Sequence, residues 1–346
     1  MADMTGLLGD DGDRSDRAQL ILITGLTLAV LFVAVVLLLN TVIYTENLAT
    51  RGVDAGGTEA AEFRAGTAAD VGGILDRENR NADSGIEDVT AGVNAYANGT
   101  RDHRLRDGVV SDVSLDESTA VDGWYVAQDR EADGTYRSLT ADDEYAGADD
   151  GNWTLVENAT RVRGYRLTLP VDSVHELGEN ETPESDAFAV RVDEAESSES
   201  WTLYAYVENG AEDVTVSVDG ESLAAQSRTD EHGVDVVDVD LTDGTVTGER
   251  WPGLVWAAGI EDGTSRYHVS YENGDRANGT YELTVRADTD TDVLGDDERF
   301  GTDHDDTGDS PYALSAVYSV ELTVSHHTPD LRYEDRVRVA PGERDD

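Results

Sequence analysis

The chain has 346 residues, 38% of them hydrophobic, enough for one large domain or two smaller ones to bury a core. Its 74 acidic residues stand against 25 basic ones, all of them Arg, for a formal charge of -49. That leaves no basic patch to release counterions from phosphates and sets nucleic acid and anionic headgroups aside as partners; the absence of cysteine excludes disulfides, thiolate zinc sites and cysteine nucleophiles together.

At low ionic strength such a charge opposes compaction by self-repulsion. Molar salt shortens the Debye length to about 3 Å and removes most of that cost, so the composition reads as salt adaptation. Disorder is the other reading of an acidic chain, but it expects few aromatics, and this chain has five Trp and fourteen Tyr. Cationic partners and divalent cations suit the charge best.

Residues 1–17 form a short leader expected on the cytoplasmic side. From Ala18 to Leu39 no charge occurs, and none follows until Glu46. As a helix those 22 residues reach about 33 Å, enough for a hydrocarbon core of about 30 Å, so a transmembrane helix is expected over residues 18–45. Arg14 and Arg17 precede the apolar run and Arg51 is the first basic residue after it, so the positive-inside rule puts the N-terminus in the cytoplasm and the rest outside. Five glycosylation sequons, at Asn98, Asn152, Asn158, Asn180 and Asn278, all lie on that outer side. No A-x-A arrangement follows the run, which fits an uncleaved anchor at the cell membrane.

The segment Asp16-Arg17-Ala18-Gln19-Leu20 sets an Arg-Ala junction directly before the apolar run. Over residues 14 to 50 the chain resembles haloarchaeal type IV pilin-like and pseudopilin-like precursors. The resemblance implies a prepilin peptidase cut between Arg17 and Ala18 that leaves the helix on the mature protein, with pilin-like or surface-assembly subunits as partners. No acidic residue occupies the early apolar run, a departure from many bacterial pilins that favours a minor-pilin or pseudopilin-like role.

Residues 46–106 read as an amphipathic helical stalk. Phe63, Val71, Ile74, Leu75, Ile86, Val89, Val93 and Tyr96 recur at helix spacing, and Gly52, Gly56, Gly57, Gly72 and Gly73 make the segment depend on a surface to lie on. Its stripe is expected to pack on the chain's own ectodomain. A break is expected at residues 80–83, with a second helix opened by a Ser84–Glu87 capping box.

From Asp107 to Asp346 the pattern alternates, giving a mainly β, antiparallel, sandwich-like ectodomain with a subdomain boundary near Pro183. Strands are expected at 123–128, 152–156, 164–171, 187–192, 201–207, 214–218, 234–241, 267–271, 280–285, 317–325 and 335–339. Asn209-Gly210, Asp219-Gly220, Asp243-Gly244 and Asn273-Gly274 supply hairpin turns, and Trp251 to Ile260 reads as a short helix or crossover.

Chemistry leaves few marks. Asp288, Asp290 and Asp292 open an oxygen-rich loop that suits calcium, yet Val293 and Arg299 break the EF-hand pattern, and a solvated acidic loop explains them as well. His175-Glu176 begins like a zincin helix, but Glu179 stands where the second His belongs. His326 and His327 point to opposite faces of a strand. With no nucleophile elbow, P-loop or dinucleotide fingerprint, no enzyme activity or cofactor is expected.

The expectation is a single-pass surface protein of a halophilic archaeon, structural or interaction-forming. The alternative is an anchored binding module for a glycan, peptide or divalent cation, for which Trp124, Trp153, Trp201 and Trp256 could stack on sugars. An anchored hydrolase comes last, supported only by abundant carboxylates. The charge yields one test: a soluble fragment from about Asp107 onward should keep its β-type circular dichroism in about 2–4 M KCl and lose it near 10 mM, where the Debye length is about 30 Å. Equal melting temperatures in dilute and molar salt would refute the salt-adapted reading.

Overall fold

The computed structural model describes residues 11–81, 84–140, 151–260, 265–287, 293–294, 300–301 and 311–343. The chain divides into two compact units, residues 1–62 with 327–333, and residues 63–326 with 334–346.

Helix α1 spans Asp11–Asn79, and its part up to Glu62 belongs to the first unit. Every side chain from Leu22 to Leu38 is exposed. Thirteen large apolar side chains between Leu20 and Leu38 are 45–71% exposed. Thr24 Oγ1 donates to the Leu20 carbonyl at 2.7 Å and Thr27 Oγ1 to the Ile23 carbonyl at 2.8 Å, so both hydroxyls are satisfied within the helix. Among the described residues no helix is long and apolar enough to cross a membrane.

The second unit holds the end of α1, helix α2 (Ile86–Leu105) and the strands, apart from the strand residues within 327–333. The larger sheet is built from β1 (Val110–Leu115), β2 (Val121–Gln128), β3 (Arg137–Ser138), β5 (Val162–Pro170), β10 (Arg228–Thr229), β11 (Asp235–Asp240), β12 (Thr245–Val246), β13 (Glu249–Arg250), β15 (Asn278–Arg286), β16 (Tyr312–His327) and β17 (Arg332–Val339). Its order is β1-β16-β2-β15-β5-β11-β12-β13, with β17 on β16, β10 on β11 and β3 on β15. The second sheet runs β4-β14-β6-β7-β8-β9. Its strands are β4 (Trp153–Ala159), β6 (Phe188–Glu194), β7 (Ser200–Val207), β8 (Val214–Val218), β9 (Glu221–Ala224) and β14 (Tyr267–Glu272).

The two sheets share one core. Alternation on β5 turns Tyr165, Leu167 and Leu169 inward, where they meet Trp153, Val190, Val192, Leu203 and Tyr271 of the second sheet. Tyr165 Oη donates to Tyr271 Oη at 3.0 Å, and the Tyr271 ring stands edge-on to Tyr281 at 5.3 Å. Residues 251–260 form turns rather than a helix and plug this core with Leu254, Trp256 and Ile260.

A second core lies where helices cover the larger sheet. Phe63, Val71 and Leu75 of α1 and Val89, Val93 and Ala97 of α2 pack with Val317, Val320, Leu322, Val324, Val337 and Val339. The apolar stripe thus folds onto its own sheet, and a fragment starting at Asp107 leaves that face uncovered. The helices touch closely at Gly92, where a Cβ would stand 2.7 Å from Ile74 Cγ2. The expected Ser84–Glu87 capping box does not form: the N-cap is Gly85, which has no side chain to accept a bond, its amide donates to Asp88 Oδ2 at 3.1 Å, and Ser84 Oγ turns to Glu78. Asp219 and Gly220, with φ of +50° and +82°, make the expected tight hairpin between β8 and β9. Asn273-Gly274 does not make one: it carries the chain from β14 in one sheet to β15 in the other through a short turn. Thr182-Pro183 opens a single helical turn, Pro183–Asp186, between β5 and β6.

One buried cation ties the helical layer to the sheet. Arg163 of β5 is 1% exposed. It donates from Nε to the Tyr318 carbonyl at 2.8 Å, from Nη2 to the Val317 carbonyl at 3.2 Å, and from Nη1 to Asp76 Oδ1 of α1 at 2.8 Å and the Pro341 carbonyl at 2.9 Å. Two of its carbonyl partners, Val317 and Tyr318, lie at a register shift in β16, between Val317 and Ser319. Asn79 completes the seam: its amide nitrogen donates to the Val317 carbonyl at 2.9 Å and its oxygen accepts the Val317 amide at 2.9 Å. Arg163→Ala would take the donor from the half-buried Asp76 carboxylate and from the Tyr318 and Pro341 carbonyls, leaving Val317 with Asn79 alone, and is expected to cost about 2–4 kcal/mol. Urea unfolding at constant molar KCl reads that loss; a loss below about 1 kcal/mol, the net worth of one ordinary hydrogen bond, would show that the seam holds without it.

Candidate functional site

Strand register assembles a polar lattice on the helix-side face of the larger sheet. Asp240 lies opposite Arg166, Arg166 opposite Glu282, and Asp238 opposite Thr168, so residues from β11, β5 and β15 fall into rows across the sheet. Direct cross-strand neighbours stand about 4.5–5.5 Å apart at Cβ, within reach of ion pairs. Arg166 donates from Nε to Asp240 Oδ2 at 2.9 Å and from Nη1 to Glu282 Oε1 at 3.2 Å. Arg80, just past α1, grips both Glu282 oxygens, with Nη2 at 2.9 Å from each. Tyr125 Oη donates to Glu282 Oε2 at 2.8 Å, and Tyr312 Oη donates to Asp129 Oδ2 at 2.8 Å. Arg228 of β10 makes a two-pronged pair with Asp238, one prong at 2.9 Å, while Thr168 Oγ1 donates to Asp238 Oδ1 at 2.7 Å.

All of these residues except Arg80 and Tyr312 line a groove of about 470 Å³, together with Gln128, Thr245 and Thr280. Burial pushes the Glu282 carboxyl up, but Arg80, Tyr125 and Arg166 more than offset it and hold it below the ordinary carboxylate value. Burial, with Glu282 and Tyr312 beside it, raises the Tyr125 hydroxyl, so it stays a neutral donor. An ionised, clamped Glu282 is suited to accepting hydrogen bonds and unsuited to delivering a proton.

A second cluster pins the 129–136 loop to the β10–β11 hairpin. Arg130 Nη2 donates to Asp230 Oδ2 at 2.6 Å, its guanidinium lies 4.0 Å from the Tyr136 ring centre, and Tyr136 Oη donates to Asp230 Oδ2 at 3.0 Å. Burial and the hydrogen bond to Asp230 push the Tyr136 hydroxyl up to about 12. The open depression beside it, about 650 Å³, includes His232, Ser173 and Asn278.

The residues marked by sequence fall elsewhere. Arg17 and Ala18 lie in the backbone of α1, with their side chains outside the described residues. Asp288, Asp290 and Asp292 are outside the described residues, and among the described ones no group of three or more His, Asp or Glu could hold a metal ion. Asn98, Asn152 and Asn180 are exposed, whereas Asn158 and Asn278 are half-buried. Trp153, Trp201 and Trp256 are buried in the inter-sheet core, so they are not sugar platforms. His175 Nε2 pairs with Glu181 at 2.8 Å in a loop, and His326 is buried against Phe63 and Ser111. The groove residues gave no sequence motif; their only trace is polar side chains at alternate positions of β5, β11 and β15.

The model of a family of unknown function, DUF7261, matches residues 14–147, less than half of the chain. No curated protein and no solved structure matches.

The Glu282 contacts have a defined pH signature. With a folded value below its ordinary 4.5, Glu282 adds stability that is fully present above pH 4.5 and is lost as pH falls through the folded value. Glu282→Gln should therefore be less stable than the native chain by about 1–3 kcal/mol at neutral pH, with the gap narrowing in acid. Urea titrations at constant molar KCl measure it, and a gap unchanged between neutral pH and about pH 3 would contradict the clamp.

Proposed function

We propose that this chain is a single-pass membrane-anchored protein on the surface of a salt-adapted cell, with its N-terminus in the cytoplasm, acting as a pilin-like or related structural and interaction subunit. The observation that carries the reading is the exposed apolar belt on α1 from Leu22 to Leu38, with its two threonine hydroxyls closed onto their own helix. Each Leu, Ile, Val or Phe left in water forgoes about 1.5–3 kcal/mol of burial, so a belt of this size calls for an apolar surrounding. Backbone and hydroxyl groups satisfied within the helix are what a hydrocarbon surrounding demands. The uncharged sequence flanking the belt, residues 18–45, extends it to spanning length. The pilin-like part rests on the Arg17-Ala18 junction before the run and on the later part of α1 packing against a β-sheet.

Membrane fractions prepared in molar salt are expected to retain the protein until detergent is added, and its intact mass should lack Met1 to Arg17. Release by buffer alone would remove the anchor. A full-length N-terminus would leave the anchor and remove the prepilin processing. The groove favours a second reading as an anchored binding module, and the two are compatible because the groove residues all belong to the second unit.

A further inference from the structure

We propose that the groove over β2, β15, β5 and β11 binds an acidic saccharide, its carboxylates taken by Arg166 and Arg228 and its hydroxyls by Thr245, Thr280 and the neighbouring carboxylates. The volume of about 470 Å³ falls in the usual range of small-ligand sites. Arg166 spends Nε and Nη1 on Asp240 and Glu282, and Arg228 spends Nε and Nη2 on Asp238. One terminal nitrogen of each guanidinium thus has no protein partner among the described residues, and the two side chains are 47% and 49% exposed. Both guanidinium planes are already held in place by the lattice, so little side-chain freedom is left to lose on binding.

The hydroxyls of Thr245 and Thr280 line the same groove, half-exposed and without a side-chain hydrogen bond among the described residues. Beside them stand Asp129, Asp238, Asp240 and Glu282. Those carboxylates decide the ligand class. An acidic peptide and an acidic sugar both bring carboxylates to the arginines and both meet repulsion from the four acidic groups, but the sugar also carries several hydroxyls that donate to them. A neutral sugar would satisfy the carboxylates and leave the two guanidinium nitrogens without an anion. The chain's charge of -49 does not forbid the complex, since in molar salt only charges within about 3 Å act strongly on the ligand. This inference goes beyond the anchor reading and does not depend on it.

The test is calorimetry on the full-length protein in detergent and molar KCl, with trigalacturonate, galactotriose and hexaglutamate as probes. Trigalacturonate should bind at least tenfold more tightly than either of the others. Arg166→Gln and Arg228→Gln should each weaken it at least tenfold, while Arg336→Gln on β17, away from the groove, should not. Because Arg166→Gln also loosens the lattice, Thr280→Val serves as a second probe: it leaves every ion pair in place and should weaken binding several-fold. No heat with trigalacturonate, equal affinity for galactotriose or hexaglutamate, or unaltered binding by Arg228→Gln and Thr280→Val would each overturn the proposal. Failure here leaves membrane retention untouched, so the two readings are distinguished.

Discussion

Arg163 is the constraint from which the second unit follows. A guanidinium at 1% exposure is costly to desolvate, and burial pushes its pKa down despite Asp76 beside it. It persists because four acceptors meet it: the Asp76 carboxylate, the Pro341 carbonyl, and the Val317 and Tyr318 carbonyls at the register shift in β16. Asp76 and Asn79 come from α1, so the contact that repairs the sheet also sets where α1 lies on it. Every apolar contact of Val71 and Leu75 depends on that placement. Lysine, a point charge on a flexible stem, could not serve four acceptors spread around a plane, which is a physical reason for arginine at this position.

The polar lattice of the groove extends the same logic to the surface. Single exposed ion pairs contribute little, about 0–1 kcal/mol, and less in salt. Here the pairs share partners: Glu282 receives Arg80, Arg166 and Tyr125, and Asp238 receives Arg228 and Thr168. A shared acceptor fixes several side chains for the entropy of ordering one network, and close contacts within it are screened less than separated charges. The net charge governs solubility and response to salt, while these local pairs govern what the groove can recognise.

Helix α1 carries two different surfaces in one element. In the first unit its described side chains from Leu22 to Leu38 are exposed and apolar all round. From Phe63 on, only one face is apolar, with Phe63, Val71 and Leu75 buried and Asp70 and Arg77 exposed on other faces. The first pattern requires an apolar surrounding, and the second requires a single apolar surface.

Sequence alone determined the elements whose signal is local. Alternation placed β2, β4 to β8, β11 and β14 to β17 within a few residues, because a strand with one buried face must alternate. Spacing of Val71, Leu75, Val89 and Val93 marked the helices and their buried face, and Asp219-Gly220 marked its turn through the positive φ that both positions require. The short strands β3, β9, β10, β12 and β13 carried no such signal, since two to four residues show no period. Tertiary structure decided whatever depends on register between distant strands: that Asn273-Gly274 joins two sheets, that Trp153, Trp201 and Trp256 face the core, and that Arg166 meets Glu282 across 116 residues of chain. A residue's type and its face are written locally, but its neighbour across a sheet is set by pairing, which no short window of sequence contains.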